Sequence, residues 1–152
     1  MQYLFPDAKL VPVIVPVYGF DHSFGTRVGQ LISSLENKKI VCIGSTDLTH
    51  YGPRYGFCPE GTGPEALIWA HQVNDMEFIH HALSMDAEHI VRIAEEKQNA
   101  CGPAAVATTI AAAKAMGAVR GVLLGHTTSS QVMKERYRQH SEDSVGYAGI
   151  VF

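Results

Sequence analysis

Residues 39–56 place the tightest bounds on what this chain can fold into. Ile40-Val-Cys-Ile43 is a short apolar run rich in β-branched residues, which reads as a buried strand. It breaks at Gly44 into Ser45-Thr-Asp-Leu-Thr-His50, dense in side chains that move protons or hold metals. In α/β sheets ligands bind beyond the carboxyl ends of the strands, so a polar loop directly after a buried strand is where chemistry is expected. Asp47 precedes His50 by three residues, near enough for the carboxylate to fix the imidazole tautomer and raise its basicity. The same residues also suit an Asx-type turn with a surface histidine.

Around that stretch, strand-like and helix-like segments alternate. Met1 to Asp7 is a lead-in. Leu10-Val-Pro-Val-Ile-Val-Pro-Val-Tyr18 reads as a strand whose two prolines push it to an edge or bulge, since each removes a ladder donor. Phe24 to Leu35 is a helix with Val28, Leu31, Ile32 and Leu35 on one face and Arg27, Gln30 and Ser34 on the other. Asn37-Lys38-Lys39 closes it. Pro64 opens a second helix to about Leu83, Asp86 caps a third, and Pro103 starts an alanine-rich fourth that Gly117 ends. Ala118 to Gly125 is a third strand with His126-Thr-Thr-Ser-Ser130 as its polar exit. Residues 131–143 suit either a helix or a loop, and Ser144 to Phe152 is a final strand. The sum is one α/β domain over residues 1–152, with helices layered on a mostly parallel or mixed sheet.

Composition removes several function classes. The net charge is −3 and the lysines and arginines do not cluster, so nucleic acid is not an expected partner. The apolar run 10–18 is too short and proline-broken to cross a membrane as a helix. Three widely spaced cysteines, Cys42, Cys58 and Cys101, do not form a disulfide framework and suit a reducing cytoplasm. Walker, G-x-G-x-x-G, C-x-x-C and G-x-S-x-G patterns are absent.

Eight histidines in 152 residues direct attention to metal and proton chemistry. Cys101 sits where a helix begins, and the helix dipole favours its thiolate as ligand or nucleophile; a small buried residue in a tight turn is the alternative. His126 follows a predicted strand. Cys42, inside the apolar run, is expected in the core. His71, His80 and His81 lie on the second helix without an H-E-x-x-H pattern. His22, His89 and His140 are expected on the surface.

Four blocks resemble the Memo family, which is similar in structure to class III extradiol ring-cleaving dioxygenases. They are Leu10-Val-Pro-Val-Ile-Val-Pro-Val, Gly44-Ser-Thr-Asp-Leu-Thr-His-Tyr-Gly, Cys101-Gly-Pro-Ala-Ala-Val, and Thr127-Thr-Ser-Ser with Asp143-Ser-Val-Gly-Tyr-Ala. The resemblance implies an αβα-layered fold and a pocket for iron or copper held by two histidines and a cysteine. The cysteine maps onto Cys101; His50 maps onto the acid–base position, with Asp47 supporting it. Thr46, Tyr51 and His126 are expected to line the pocket. The family's two ligand histidines lie in an N-terminal half that these residues do not match, so the metal pocket is expected to be incomplete. That implies weak or absent dioxygenase activity and a homo-oligomer or a partner chain supplying the missing half. A small aromatic substrate is one expected ligand; the alternative is a non-catalytic protein- or peptide-binding module with a vestigial pocket.

Overall fold

The computed structural model describes residues 3–36 and 38–152, the side chain of His22 excepted. The expectations for Met1, Gln2, Asn37 and the His22 side chain therefore lie outside the described residues. Helix α1 (His22–Ser34) starts where Asp21 accepts the Ser23 N–H, and docks on α5 (Pro103–Ala115). The contact face of α1 is Gly25 and Gly29. A Cβ at Gly25 would meet Thr108 and Ala111, and one at Gly29 would meet Ala112 and Ala115. Leu31 and Leu35, expected inward, are exposed. Backbones approach more closely across a glycine–alanine stripe than across leucines, and that decides which face turns inward.

The second predicted helix is one continuous rod in three parts: α2 (Pro64–Trp69), a π-helical turn (Ala70–Asn74) and α3 (Asp75–Leu83). Helix α4 (Ile90–Lys97) follows a turn in which Asp86 accepts the His89 N–H. Helices α3, α4 and α5 enclose Phe78, Ile79, Met85, Ile90, Ala107 and Ile110, the main core. Helix α6 (Ser129–Tyr137) fills part of the stretch left open between helix and loop. Thr128 and Gln131 form a reciprocal capping box at its start, written in the sequence as Thr-Ser-Ser-Gln.

The α/β class holds, and every strand pairing among the described residues is antiparallel. Strands β1 (His50–Tyr51), β2 (Val122–Thr128) and β3 (Ser144–Val151) lie in the order β1-β3-β2. His50 sits opposite Val145, and Val122 opposite Val151, with a register shift between Leu123 and Gly125. Strand β2 begins later than expected because Gly121 N–H is taken by the Leu83 carbonyl, so His126 lies within the ladder and not at its exit.

The two segments that would have supplied parallel strands are extended but unpaired. Residues 10–18 and 40–46 belong to no strand ladder. Segment 40–46 keeps a strand-like alternation, with Ile40, Cys42, Gly44 and Thr46 half-buried and Val41 and Ile43 exposed, whereas residues 10–14 are exposed throughout. Segment 40–46 lies along α5, with Gly44 against Thr109 and Ala105. A strand needs a neighbouring edge as well as a β pattern, and no described strand runs beside either segment. Cys42 is accordingly half-buried, not core, and burial pushes its thiol pKa up.

Candidate functional site

Three segments meet where the unpaired stretch 40–46 ends. The backbone turns inward at Leu48, whose N–H is accepted by the Gly146 carbonyl; Gly146 N–H in turn reaches Thr49 O. These bonds stitch the loop to β3 and leave Asp47 and His50 on its outer side. From the opposite direction Cys101 arrives just ahead of α5, with its N–H donated to the Asp47 carbonyl at 3.2 Å. Gly102 N–H is accepted by Thr46 Oγ1 at 2.8 Å, which clamps the two segments together. Gly102 lies close against Ser45 and Thr46, so a larger residue would separate them.

The result is a compact donor set. Ligand-capable atoms of Asp47, His50 and Cys101 all lie within 4.8 Å of one another. His50 Nε2 and Asp47 Oδ2 are 3.2 Å apart, and Cys101 Sγ accepts the Asp47 N–H at 3.3 Å. The His50 and Asp47 side chains are 36% and 45% exposed and Cys101 is exposed, so the set opens outward. One carboxylate, one imidazole and one thiol suit a transition ion better than calcium or magnesium, and three protein donors leave open coordination positions.

An aromatic wall stands beside these donors. The Tyr55 ring centroid is 5.0 Å from that of His50. A cavity of about 490 Å³ is lined by His50, Cys101, Tyr18, Tyr55, Phe57 and Gln98, among others. Tyr147 projects from β3 toward the same place; burial raises its pKa, and the nearby Asp47 and Tyr55 raise it further. Tyr18, Tyr55 and Phe57 carry no local signal of such a role, since they lie in irregular segments. The Tyr147 signal was the Val-Gly-Tyr-Ala block itself.

Of the other expected lining residues, Thr46 lies at the donor set, whereas Tyr51 and His126 lie apart from it. Thr46 is the clamp just described; its Oγ1 lies 3.8 Å from Cys101 Sγ, and the residue also borders a separate apolar groove. Tyr51 is fully buried, its hydroxyl donating to Gly61 O and accepting the Glu60 N–H, with Phe57 and Trp69 packed around it. It anchors the loop that follows. His126 is not brought to the donor set. Its Nε2 meets Asp75 Oδ2 at 2.9 Å, and its ring lies 4.1 Å from that of His71.

A family profile described as "Memo: Memo-like protein" matches residues 1–151. A MEMO1 family protein of Thermococcus kodakarensis is 33% identical over all of this chain and 53% of its own length. One from Pyrococcus furiosus is 32% identical over 95% of this chain and 49% of its own. One from Methanopyrus kandleri is 32% identical over 100% of this chain and 48% of its own. The chain thus spans about half the length of the curated relatives it matches.

Proposed function

Since the chain belongs to the Memo family, we propose that Asp47, His50 and Cys101 form one wall of a redox-metal centre related to those of non-haem dioxygenases. The observation that carries this reading is the convergence of the three donors within 4.8 Å. Iron or copper is the proposed metal, in keeping with the mixed N, O and S donors. When bound, such a metal supplies electron exchange with dioxygen. The chain's residues supply the rest: Cys101 and either Asp47 or His50 hold the ion, and the open cavity admits a flat aromatic ligand between Tyr55 and Phe57. The carboxylate of Asp47 orients His50, whose imidazole is placed to take or give a proton.

His50 serves as ligand or as acid–base group, and not as both at once. For that reason ring cleavage by the isolated chain is expected to be weak or absent. A second copy or a partner polypeptide, covering the exposed side of the centre, is the proposed means of completing it. The three free cysteines support a reducing, cytoplasmic setting. Among the described residues no helix is long and apolar enough to cross a membrane.

Anaerobic loading with Fe²⁺ or Cu²⁺, followed by removal of loose metal and elemental analysis, tests the centre. Wild type should retain stoichiometric metal, Cys101→Ser should lose most of it, and His50→Ala should lose it where His50 is the second ligand and keep it where Asp47 is. Equal retention in all three would dispose of the reading. The aromatic lining of the cavity also favours a second reading, a non-catalytic peptide-binding module. In that case peptide binding survives Cys101→Ser and is lost with Tyr55→Ala.

A further inference from the structure

Behind the donor set lies a buried polar node that neither the family match nor the site residues account for. Asn74 and Asp75 are adjacent, and each is 1% exposed. They stand where the π-helical turn passes into α3. A π-turn inserts extra chain into a helix and shifts the phase of everything after it, a feature found disproportionately at functional sites. Here it delivers two adjacent polar side chains to the interior.

Both side chains bond to Thr49, beside His50, and the Asn74 backbone carbonyl reaches the Cys101 segment through Asn99. Asp75 Oδ1 accepts the Thr49 N–H at 2.9 Å, and Oδ2 meets His126 Nε2 at 2.9 Å. Asn74 Nδ2 donates to Thr49 Oγ1 and to the Lys97 carbonyl, both at 3.1 Å. Asn99 Nδ2 closes the circuit on the Asn74 carbonyl at 3.1 Å. Thr49 adjoins His50, and Asn99 lies two residues before Cys101. One node therefore grips both ligand-bearing segments from inside. A Cβ at Gly146 would run into the Asp75 carboxylate, so β3 admits the buried Asp75 only with a glycine at that position.

We propose that Asp75, with Asn74, is the positioning residue of the centre: it fixes the separation of Cys101 from Asp47 and His50 without touching the metal. This rests on reading those three residues as a metal centre, but the node's mechanical role can be measured without any metal. A buried carboxylate is retained only when its oxygens are satisfied. Asp75 spends one oxygen on a backbone N–H that the antiparallel ladder leaves unpaired. That is a bond of position.

The test uses Asp75→Leu, which removes the acceptor, Asp75→Asn, which keeps an Oδ1 acceptor, and Thr49→Val, which breaks the Asn74 bond isosterically. Co²⁺ serves as probe, its sulfur charge-transfer band reporting Cys101. Supporting-group losses of this kind weaken metal binding about tenfold or more, so Asp75→Leu should do so while Asp75→Asn stays within about threefold of wild type. In metal-free protein, amide exchange at residues 47–50 and 101–102 should rise about tenfold or more in Asp75→Leu, with Ile79 and Ile110 unchanged. Should Asp75→Leu not fold, Thr49→Val carries the same expectation at smaller size. If wild type takes up no Co²⁺, the metal reading falls and the exchange data alone decide the node. Unchanged exchange at both segments in folded variants overturns the proposal, with or without metal.

Discussion

His71 is the residue whose chemistry is least settled by its surroundings. Its Nε2 is buried without a hydrogen-bond partner, and its ring lies against His126. Burial lowers its pKa first, and the neighbouring His126 lowers it further, while Asp75 opposes them. The native state thus resists protonating His71, whereas the unfolded chain takes up that proton below about pH 6.5. The sign follows: this contribution to stability is complete above the unfolded value, is lost as pH falls, and stops changing below the folded value. We expect the urea midpoint to drop on acidification below about pH 6.5. His71→Leu should flatten that limb and leave the neutral-pH midpoint equal or higher, since a buried unpaired polar atom is removed. An unaltered acid limb in His71→Leu would show that another group sets it. At this scale the types and positions of Asp47, His50 and Cys101, after a strand-like run and before a helix, made them candidates beside an ordinary turn reading, and the resemblance joined them into one site. The sequence did not announce Asp75 or His71. Both sit on a helix whose phase is reset by the π-turn, and no 3.6-residue pattern reveals where such a turn will fall.

Helix α1 shows how an element can be right while its buried face is not. Its apolar residues predicted one stripe, but Gly25 and Gly29 occupy the interface with α5. Two effects compete at Gly29. Replacing a helical glycine with alanine gains about 1 kcal/mol of helix propensity. Overpacking a close contact costs about 1–3 kcal/mol, and here the contact includes the Ala112 carbonyl, which cannot swing away. The second should win: Gly29→Ala is expected to lose about 1 kcal/mol net, read as a lower urea midpoint, while Gln30→Ala on the exposed side is neutral or stabilising. A stabilised Gly29→Ala would mean that α1 rides more loosely on α5 than its contacts show. The helices themselves were legible from prolines, caps and spacing, with α2, α3 and α5 starting or ending within a residue or two of expectation. Residues 10–18 and 40–46 were not. Their composition is that of strands, and β propensity describes a half-buried surface and not a hydrogen-bonded neighbour.

At the scale of the whole molecule those two segments leave a row of apolar side chains in solvent. Leu10, Val11, Val13, Ile14, Val41 and Ile43 are all largely exposed. Beneath residues 40–44 runs an apolar groove of about 680 Å³, bordered by Phe78, Val106, Ala113 and Ile150. An extended segment with one face on a helix and free backbone groups along its edge is a template for another strand. Of these exposed side chains Val41 and Ile43 border the groove, and an exposed apolar patch beside a groove is the kind of surface that docks a partner. The relatives offer a parallel, being about twice as long as the matched region. The proposed consequence is that the isolated chain associates through this face, with itself or with a polypeptide that contributes strands. Sedimentation velocity over a roughly hundredfold concentration range should show species larger than 16.5 kDa that dissociate on dilution. Val41→Glu combined with Ile43→Lys places charges on the outward side of segment 40–46 and leaves Ile40 and Cys42 facing α5, so it should shift the population to monomer without unfolding it. A wild-type chain that stays monomeric throughout would show that these residues tolerate water unaided, and would remove the second copy from the account of the metal centre as well.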